Sequence, residues 1–184
     1  MRWQGIRIHI VAISLLIGLA AFLGAQWLYN SLNFQKPLRE LLSQHKLVAA
    51  YQIEDAGDTY KITITLRETG NLMETYNLIY GEIEQVMGNR PFEIQLVDHR
   101  NDRLNSIFEQ GQFAIHEALV VGNFTKMADA LNGYARKAGV ESRVYIDDYN
   151  IYWQMRDGSY YLYDVVPRKE YAGTTPVGVA LDRR

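Results

Sequence analysis

The sequence predicts an α+β domain that follows an N-terminal transmembrane helix. Three observations lead to this fold class. The stretch Ile8–Leu28 contains no Asp, Glu, Lys or Arg. Residues Tyr60–Leu66 alternate between apolar and polar types, as in a half-buried strand, and Leu72–Met87 repeats apolar residues at helical spacing. After the anchor, the predicted elements follow the order α-β-β-α-β and then an α-α-β-β-β extension.

The uncharged stretch Ile8–Leu28 is long enough to cross a membrane as a helix. A helix rises about 1.5 Å per residue, so this stretch covers the ~30 Å hydrocarbon core of a bilayer. Trp3 precedes the stretch, Trp27 and Tyr29 close it, and these aromatic types favour the membrane interface. We therefore expect a single-pass membrane protein.

The charges around the span predict its orientation. Arg2 and Arg7 precede it and no acidic residue does, which favours a cytoplasmic N-terminus and an uncleaved signal-anchor. A cleaved secretory signal is the alternative. A cut after Ala25 would place the large Leu23 at the −3 position, where cleavage needs a small residue. A cut after Ala20 would satisfy this rule, but it would leave the apolar residues up to Leu28 on the mature N-terminus.

The predicted domain organisation has three parts. Residues 1–30 form a cytoplasmic tip and the signal-anchor, residues 31–166 form an extracytoplasmic α+β domain, and residues 167–184 form a flexible tail. Small residues recur on one face of the anchor at Ser14, Gly18, Ala21 and Ala25. Such a face lets two helices approach closely, so it is a candidate dimer face, although small residues are common in membrane helices.

The first unit of the domain is predicted from its strand and helix periods. Its elements are expected at Pro37–Lys46, Leu47–Glu54, Tyr60–Arg67, Leu72–Met87 and Pro91–Asp98. Asn71 with Glu74 predicts a capping box before the second helix, and Gly88 predicts its end. In element order this unit resembles the ring-building motif of secretion and sporulation proteins and the BON domain. The resemblance implies lateral packing on protein partners or on other copies of the chain.

The extension is predicted to contain two helices and three strands. The first helix ends near Val121 and the second covers Thr125–Ala138. The strands are expected at Ser142–Asp147, Asn150–Arg156 and Ser159–Val166. Asp157-Gly158 predicts a two-residue hairpin turn between the last two strands.

Four residues of this last hairpin form a candidate binding face. With the predicted turn, Tyr152 lies opposite Tyr163 and Gln154 lies opposite Tyr161, and all four share one side of the sheet. Trp153 lies on the other side. Aromatic rings with hydroxyl groups are typical of binding surfaces. The alternative is that these aromatic pairs only stabilise the sheet.

Composition and motif spacing argue against several function classes. The formal net charge is −2 and the basic residues form no cluster, which argues against nucleic-acid binding. The absence of cysteine excludes thiol catalysis and Cys-based zinc sites. His116 and Glu117 begin an H-E-x-x-H pattern, but Val120 stands where the second histidine is needed. We predict no cofactor, no metal and no catalytic residue.

The leading functional interpretation is a non-enzymatic domain that binds a protein partner or another copy of itself outside the cytoplasm. The alternative is a module that binds cell-wall or other glycans through the tyrosines. A third interpretation is an enzyme with a site near Asp98–Asp102, where Asp98, His99, Arg100 and Asp102 cluster before a helix. A carboxylate beside an imidazole can support acid–base chemistry, but helix capping also explains these residue types.

Overall fold

The computed structural model describes residues 8–30, 34–57 and 59–168. Within them lie five helices and six strands, so the predicted mixed α and β fold class is confirmed. In chain order these are α1 (Ile8–Asn30), α2 (Lys36–Gln44), β1 (Val48–Asp55), β2 (Tyr60–Leu66), α3 (Leu72–Met87), β3 (Phe92–Val97), α4 (Asp102–Val121), α5 (Phe124–Lys137), β4 (Glu141–Ile146), β5 (Asn150–Asp157) and β6 (Tyr160–Pro167).

Helix α1 covers the stretch that the sequence predicts to be a membrane anchor. A membrane span requires about 20 consecutive, predominantly apolar residues. No helix within the described residues meets the requirements of length and apolar character for such a span. The predicted transmembrane signal-anchor is therefore not supported by the described residues, in which the side chains of α1 are described only from Val11 to Ala25. The predicted tip at residues 1–7, the tail at 169–184 and the side chains of Trp27 and Tyr29 lie outside the described residues.

The first sheet contains β1, β2 and β3 in that order. β1 and β2 form the predicted antiparallel hairpin, and β3 pairs with β2 in parallel after the crossover through α3. Helices α2 and α3 bury their apolar faces against this sheet, because each has one apolar side at helical spacing. The core contains, among others, Leu38, Leu42, Ile62, Ile64, Ile79 and Ile83.

Helix α3 begins and ends where the sequence predicts. The side-chain oxygen of Asn71 accepts a hydrogen bond from the backbone N–H of Glu74 at 3.3 Å, which satisfies one donor of the first turn. Gly88 ends the helix with φ 57°, a conformation that favours glycine. These two signals determine where α3 begins and ends. The helix also covers part of the second sheet.

The second sheet contains β4, β5 and β6, with both neighbouring pairs antiparallel. Gln154 lies opposite Tyr163 and not opposite Tyr161, so the predicted register is wrong. The turn consists of Gly158 and Ser159, one residue later than predicted. Each residue of β5 therefore pairs with a residue of β6 that lies two positions further along the chain than predicted. Because side chains alternate with a period of two, this shift leaves every residue on its predicted side of the sheet.

Helices α4 and α5 cover one face of the second sheet. Trp153 of β5 is fully buried beneath them. Gly111 of α4 lies directly on the indole ring, since a Cβ added at Gly111 would come within 2.3 Å of Cη2 of Trp153. The helix can therefore approach the sheet only because residue 111 has no side chain.

The two sheets meet along β6. His99, which follows β3, forms an antiparallel bridge with Tyr161. The N–H of His99 donates to the carbonyl of Tyr161 at 3.1 Å, and the N–H of Tyr161 donates back at 2.8 Å. On the face of the second sheet opposite α4 and α5, Tyr152, Tyr163 and Val165 belong to the core of the first sheet. The second sheet is thus buried on both faces over part of its area.

Candidate functional site

The predicted binding residues belong to a three-by-three array of side chains, which we call the tyrosine face. β4, β5 and β6 each contribute three alternate residues to this side of the second sheet. The outer row, nearest the β5–β6 turn, contains Glu141, Arg156 and Tyr161; the middle row contains Arg143, Gln154 and Tyr163; the inner row contains Tyr145, Tyr152 and Val165. The four predicted residues share this face: Tyr161 lies in the outer row, Gln154 and Tyr163 in the middle row, and Tyr152 in the inner row.

Helix α3 covers the inner row. Tyr152 is fully buried, and its ring centroid lies 5.8 Å from that of Tyr76. Its hydroxyl lies 2.8 Å from Oδ1 of Asn77 and from Oδ2 of Asp147, either of which accepts its proton. Burial raises the pKa of Tyr152. Tyr163 in the middle row is also buried. Tyr152 therefore stabilises the junction with α3. Tyr152 and Tyr163 are buried, so the prediction that they form an exposed face is wrong.

Gln154 links the tyrosine face to the start of α3. Its Oε1 accepts a hydrogen bond from the backbone N–H of Leu72 at 2.7 Å. The carbonyl of Gly70, in the loop before α3, accepts hydrogen bonds from Nε2 of Gln154 at 3.4 Å and from Nη1 of Arg143 at 2.8 Å. Both the oxygen and the nitrogen of the Gln154 amide are thus bound to the protein, so Gln154 connects β5 to the loop and first turn of α3.

A cleft of about 450 Å³ lies over the outer and middle rows. One wall is the β2–α3 loop, and the other is formed by the start of β4 and by the ends of β5 and β6 next to the β5–β6 turn. Across it, Arg156 of β5 forms an ion pair with Glu68 of the loop. The middle-row residues Gln154 and Tyr163 contribute to the lining, so the cleft occupies the part of the tyrosine face that α3 leaves uncovered.

Three of the four predicted residues line the cleft, and Tyr161 is the one that is neither buried, as Tyr163 is, nor bound at both ends of its side chain, as Gln154 is. It is half-buried, and its ring centroid lies 5.1 Å from that of Tyr163. Burial, and then the charge of Asp98, raise the pKa of its hydroxyl. Tyr161 is therefore a neutral ring with a polar tip at the edge of a polar cleft, which is a suitable surface for stacking and hydrogen bonding.

A buried ion cluster joins the strand-to-helix corner to β6. Nε of Arg100 lies 2.8 Å and 2.7 Å from the two carboxylate oxygens of Asp98, which also accepts the N–H of Tyr163 at 3.2 Å. The guanidinium of Arg100 lies 4.6 Å from the ring centroid of Phe108. Asp164 of β6 completes the cluster. Burial raises the pKa of Asp164 to about 6, against the opposing effect of Arg100.

The structure separates the other predicted residues of this corner from the cluster. His99 is exposed, and its ring lies 4.6 Å from that of Tyr160. Asp102 is exposed in the first turn of α4, while Asn101 caps that helix by accepting the N–H of Leu104 at 2.9 Å. In the parts of the chain that the structure describes, no group of three or more His, Cys, Asp or Glu side chains could hold a metal ion.

Asp164 was missed by sequence reasoning although a signal existed. It is a single carboxylate inside the predicted strand Ser159–Val166, between Tyr163 and Val165. A charged residue at the centre of an apolar strand is rarely buried unless other groups offset the cost of burial. That rule predicts a partner for Asp164, but it does not name Arg100.

The candidate dimer face of α1 is exposed along the described side chains. Ser14, Gly18, Ala21 and Ala25 lie on this part of the helix. The hydroxyl of Ser14 donates to the carbonyl of Val11 at 2.9 Å, so it is bound within its own helix. A Cβ added at Gly18 would meet no atom within 4 Å. Dimerisation through this face stays a prediction.

The cleft offers binding chemistry of a mixed kind. Arginine and glutamate side chains of both signs surround it, and Tyr161 supplies an aromatic face. Such a surface can bind a polar ligand through hydrogen bonds and stacking. The carboxylate of Asp98 is bound to Arg100 and is not part of the cleft lining. No protein-family model, no curated protein and no solved structure matches this chain.

Proposed function

We propose that this chain is a membrane-attached interaction protein. In this proposal α1 inserts into lipid, and the domain that follows recognises a partner without catalysing a reaction. The observation that supports it is the exposure of α1: eight large apolar side chains between Val11 and Leu23 are 51% to 70% exposed. Fully burying a fully exposed large apolar side chain contributes about 1.5–3 kcal/mol. Since each member of this set is a little over half exposed, its burial in lipid contributes on the order of 10 kcal/mol.

The sequence of α1 supports the same proposal. Ile8–Leu28 contains no charged side chain, and Arg2 and Arg7 precede it. By the positive-inside rule this arrangement favours a cytoplasmic N-terminus, so the domain lies on the other side of the membrane. The chain would then be a single-pass protein with an extracytoplasmic domain.

The membrane proposal is tested by placing charge in α1. Leu16→Arg combined with Leu19→Arg should release the full chain from membranes on carbonate washing, since each arginine at a helix centre costs about 2.5–3.5 kcal/mol on insertion. Leu78→Arg is the matched control, because Leu78 is a similarly exposed leucine on α3. Release of the unmodified chain, or full retention of the double variant, would contradict insertion.

The element order of the first unit supports a protein partner or self-association. α2, β1, β2, α3 and β3 follow the order that resembles ring-building and BON domains. Such domains act by lateral packing on partners or copies. Size determination of the full chain in detergent tests the self-association form of this proposal, and a monomer at every concentration would leave only a different protein as partner.

Glycan binding in the cleft is the second candidate function. The observation in its favour is Tyr161, whose half-buried ring lies beside charged and amide groups that can bind sugar hydroxyls. Detergent-solubilised full chain should then be retained by insoluble cell-wall material, and Tyr161→Ser should abolish retention. Tyr149→Ser, at an exposed tip of the same sheet, is the control. Equal retention of both variants would contradict a glycan site in the cleft.

Catalysis at Asp98–Asp102 is the least supported interpretation. Asp98 and Arg100 are nearly buried and bound to each other, and His99 lies outside that pair against Tyr160. The arrangement is that of a structural joint between β3, α4 and β6.

A further inference from the structure

One arginine of the cleft has no acidic partner among the described residues. Nη1 of Arg143 donates to the carbonyl of Gly70 at 2.8 Å, and the described ion pairs do not include Arg143. An arginine side chain has five N–H donors and keeps its positive charge. Within the described residues, Arg143 therefore brings an unpaired charge and further N–H donors to the cleft lining.

The second arginine of the cleft is paired with a side chain that a ligand can displace. Nη1 of Arg156 forms an ion pair with Glu68 of the β2–α3 loop, whose side chain is 71% exposed. An exposed ion pair contributes little to stability, because water also solvates both charges. Glu141, the other acidic residue of the lining, is exposed and pairs with neither arginine in the described part of the chain.

The two arginines lie close enough to bind the same ligand. Arg143 lies opposite Gln154 of β5, and Arg156 lies two residues further along that strand on the same face. Such diagonal neighbours are about 7–8 Å apart. The backbone carbonyls of Gly70 and Gly158 accept hydrogen bonds from these side chains at 2.8 Å and 3.1 Å, which orients both guanidinium groups. A guanidinium group matches a carboxylate in shape and charge.

The rest of the lining favours a sugar over a peptide. The half-buried ring of Tyr161 offers a surface against which the C–H face of a sugar ring can pack. Apart from the tyrosines, the large apolar side chain of the lining is that of Met155, which is 2% exposed. Peptide ligands gain most of their binding energy from large side chains that fill pockets. The volume of about 450 Å³ is typical of a site for a small ligand.

We infer that the cleft binds a carboxylate-bearing glycan, whose acid group contacts Arg143 and replaces Glu68 at Arg156. This inference rests on the glycan binding proposed above for the same cleft, and it adds that the glycan is acidic. Glu68 occupies Arg156 in the absence of the ligand and moves into solvent when the acid group binds. A neutral glycan cannot replace the charge of Glu68, so it binds more weakly.

Titration of the detergent-solubilised full chain with trigalacturonate and with its methyl ester tests this inference. The ester removes the negative charges and keeps the sugar rings. We expect the acid form to bind about tenfold more tightly than the ester, because hydrogen bonds between charged groups are stronger than those between neutral groups. Glu68→Gln should tighten binding of the acid form, and Arg143→Gln should weaken it about tenfold. Isothermal titration calorimetry measures these affinities.

Arg67→Gln is the matched control, because Arg67 is exposed next to Glu68 but does not belong to the cleft lining. It should bind both sugars as the unmodified chain does. Equal affinity for the acid and the ester, or weaker binding of the acid by Glu68→Gln, would overturn the inference without removing the glycan site.

Two further outcomes would also overturn the inference. If neither sugar binds, retention of the chain on cell-wall material decides the proposed glycan function separately. If triglutamate binds more tightly than trigalacturonate, the cleft is a site for an acidic peptide.

Discussion

Replacing Asp164 by Asn should stabilise the protein at neutral pH. Asp164 is almost fully buried, and within the described residues its Oδ2 and both Nη atoms of Arg100 are buried without a hydrogen-bond partner. Asp98 lies in the same cluster, so one arginine faces two carboxylates. A neutral side chain at position 164 would remove the charge that burial disfavours.

The size of this effect follows from the pKa of Asp164. Burial raises this pKa from 3.8 to about 6, so the native state binds the proton more tightly than the unfolded chain does. The contribution to stability is fully present below about pH 4 and is lost as the pH rises through 6. At 1.36 kcal/mol per pKa unit, the loss is about 3 kcal/mol.

Urea unfolding of residues 31–184 measures this effect. We expect this fragment to fold alone, because both apolar cores lie within it, and Trp153 is then its single tryptophan. Asp164→Asn should match the unmodified fragment at pH 4 and exceed it by up to ~3 kcal/mol at pH 7.5. Asp148→Asn, at an exposed position, is the control. A variant that is less stable at pH 7.5, or a difference independent of pH, would refute the reasoning.

Three further predictions concern packing and use the same unfolding measurement. Ile83→Asp should unfold the domain, because its charge would enter a fully buried site; a folded variant would place this side of α3 away from the core. Gly111→Ala should cost about 1–3 kcal/mol because its Cβ would overlap Trp153, and an undiminished stability would contradict that contact. Tyr163→Ser should cost about 3–5 kcal/mol and Tyr161→Ser about 1 kcal/mol; equal losses would contradict their different burial.

The elements that depend on local signals were predictable from the sequence. Asn71 and Gly88 mark the ends of α3 through hydrogen bonding and backbone conformation, both of which are properties of nearby residues. The grouping of side chains on β5 and β6 was also predictable. This grouping is correct although the predicted turn is wrong, because moving the pairing between β5 and β6 by two residues leaves each side chain on the same side of the sheet.

The candidate site was less predictable because its contacts join distant parts of the chain. Gln154 binds Leu72 and Gly70, which are 82 and 84 residues away in the sequence. Alternation places Tyr152 on a face, but it cannot say that α3 covers that face. The sequence likewise does not show that residue 111 must be a glycine, because that requirement comes from the packing of Trp153 against it.

The position of the domain relative to a membrane is the claim on which the proposed function most depends. A reporter that is active only outside the cytoplasm, fused after Arg184, measures this position directly when combined with carbonate washing of membranes. We expect an active reporter on a chain that stays in the membrane fraction. An inactive reporter, or a soluble product cut after Ala20 or Ala25, would contradict an uncleaved α1 that holds the domain outside the cytoplasm.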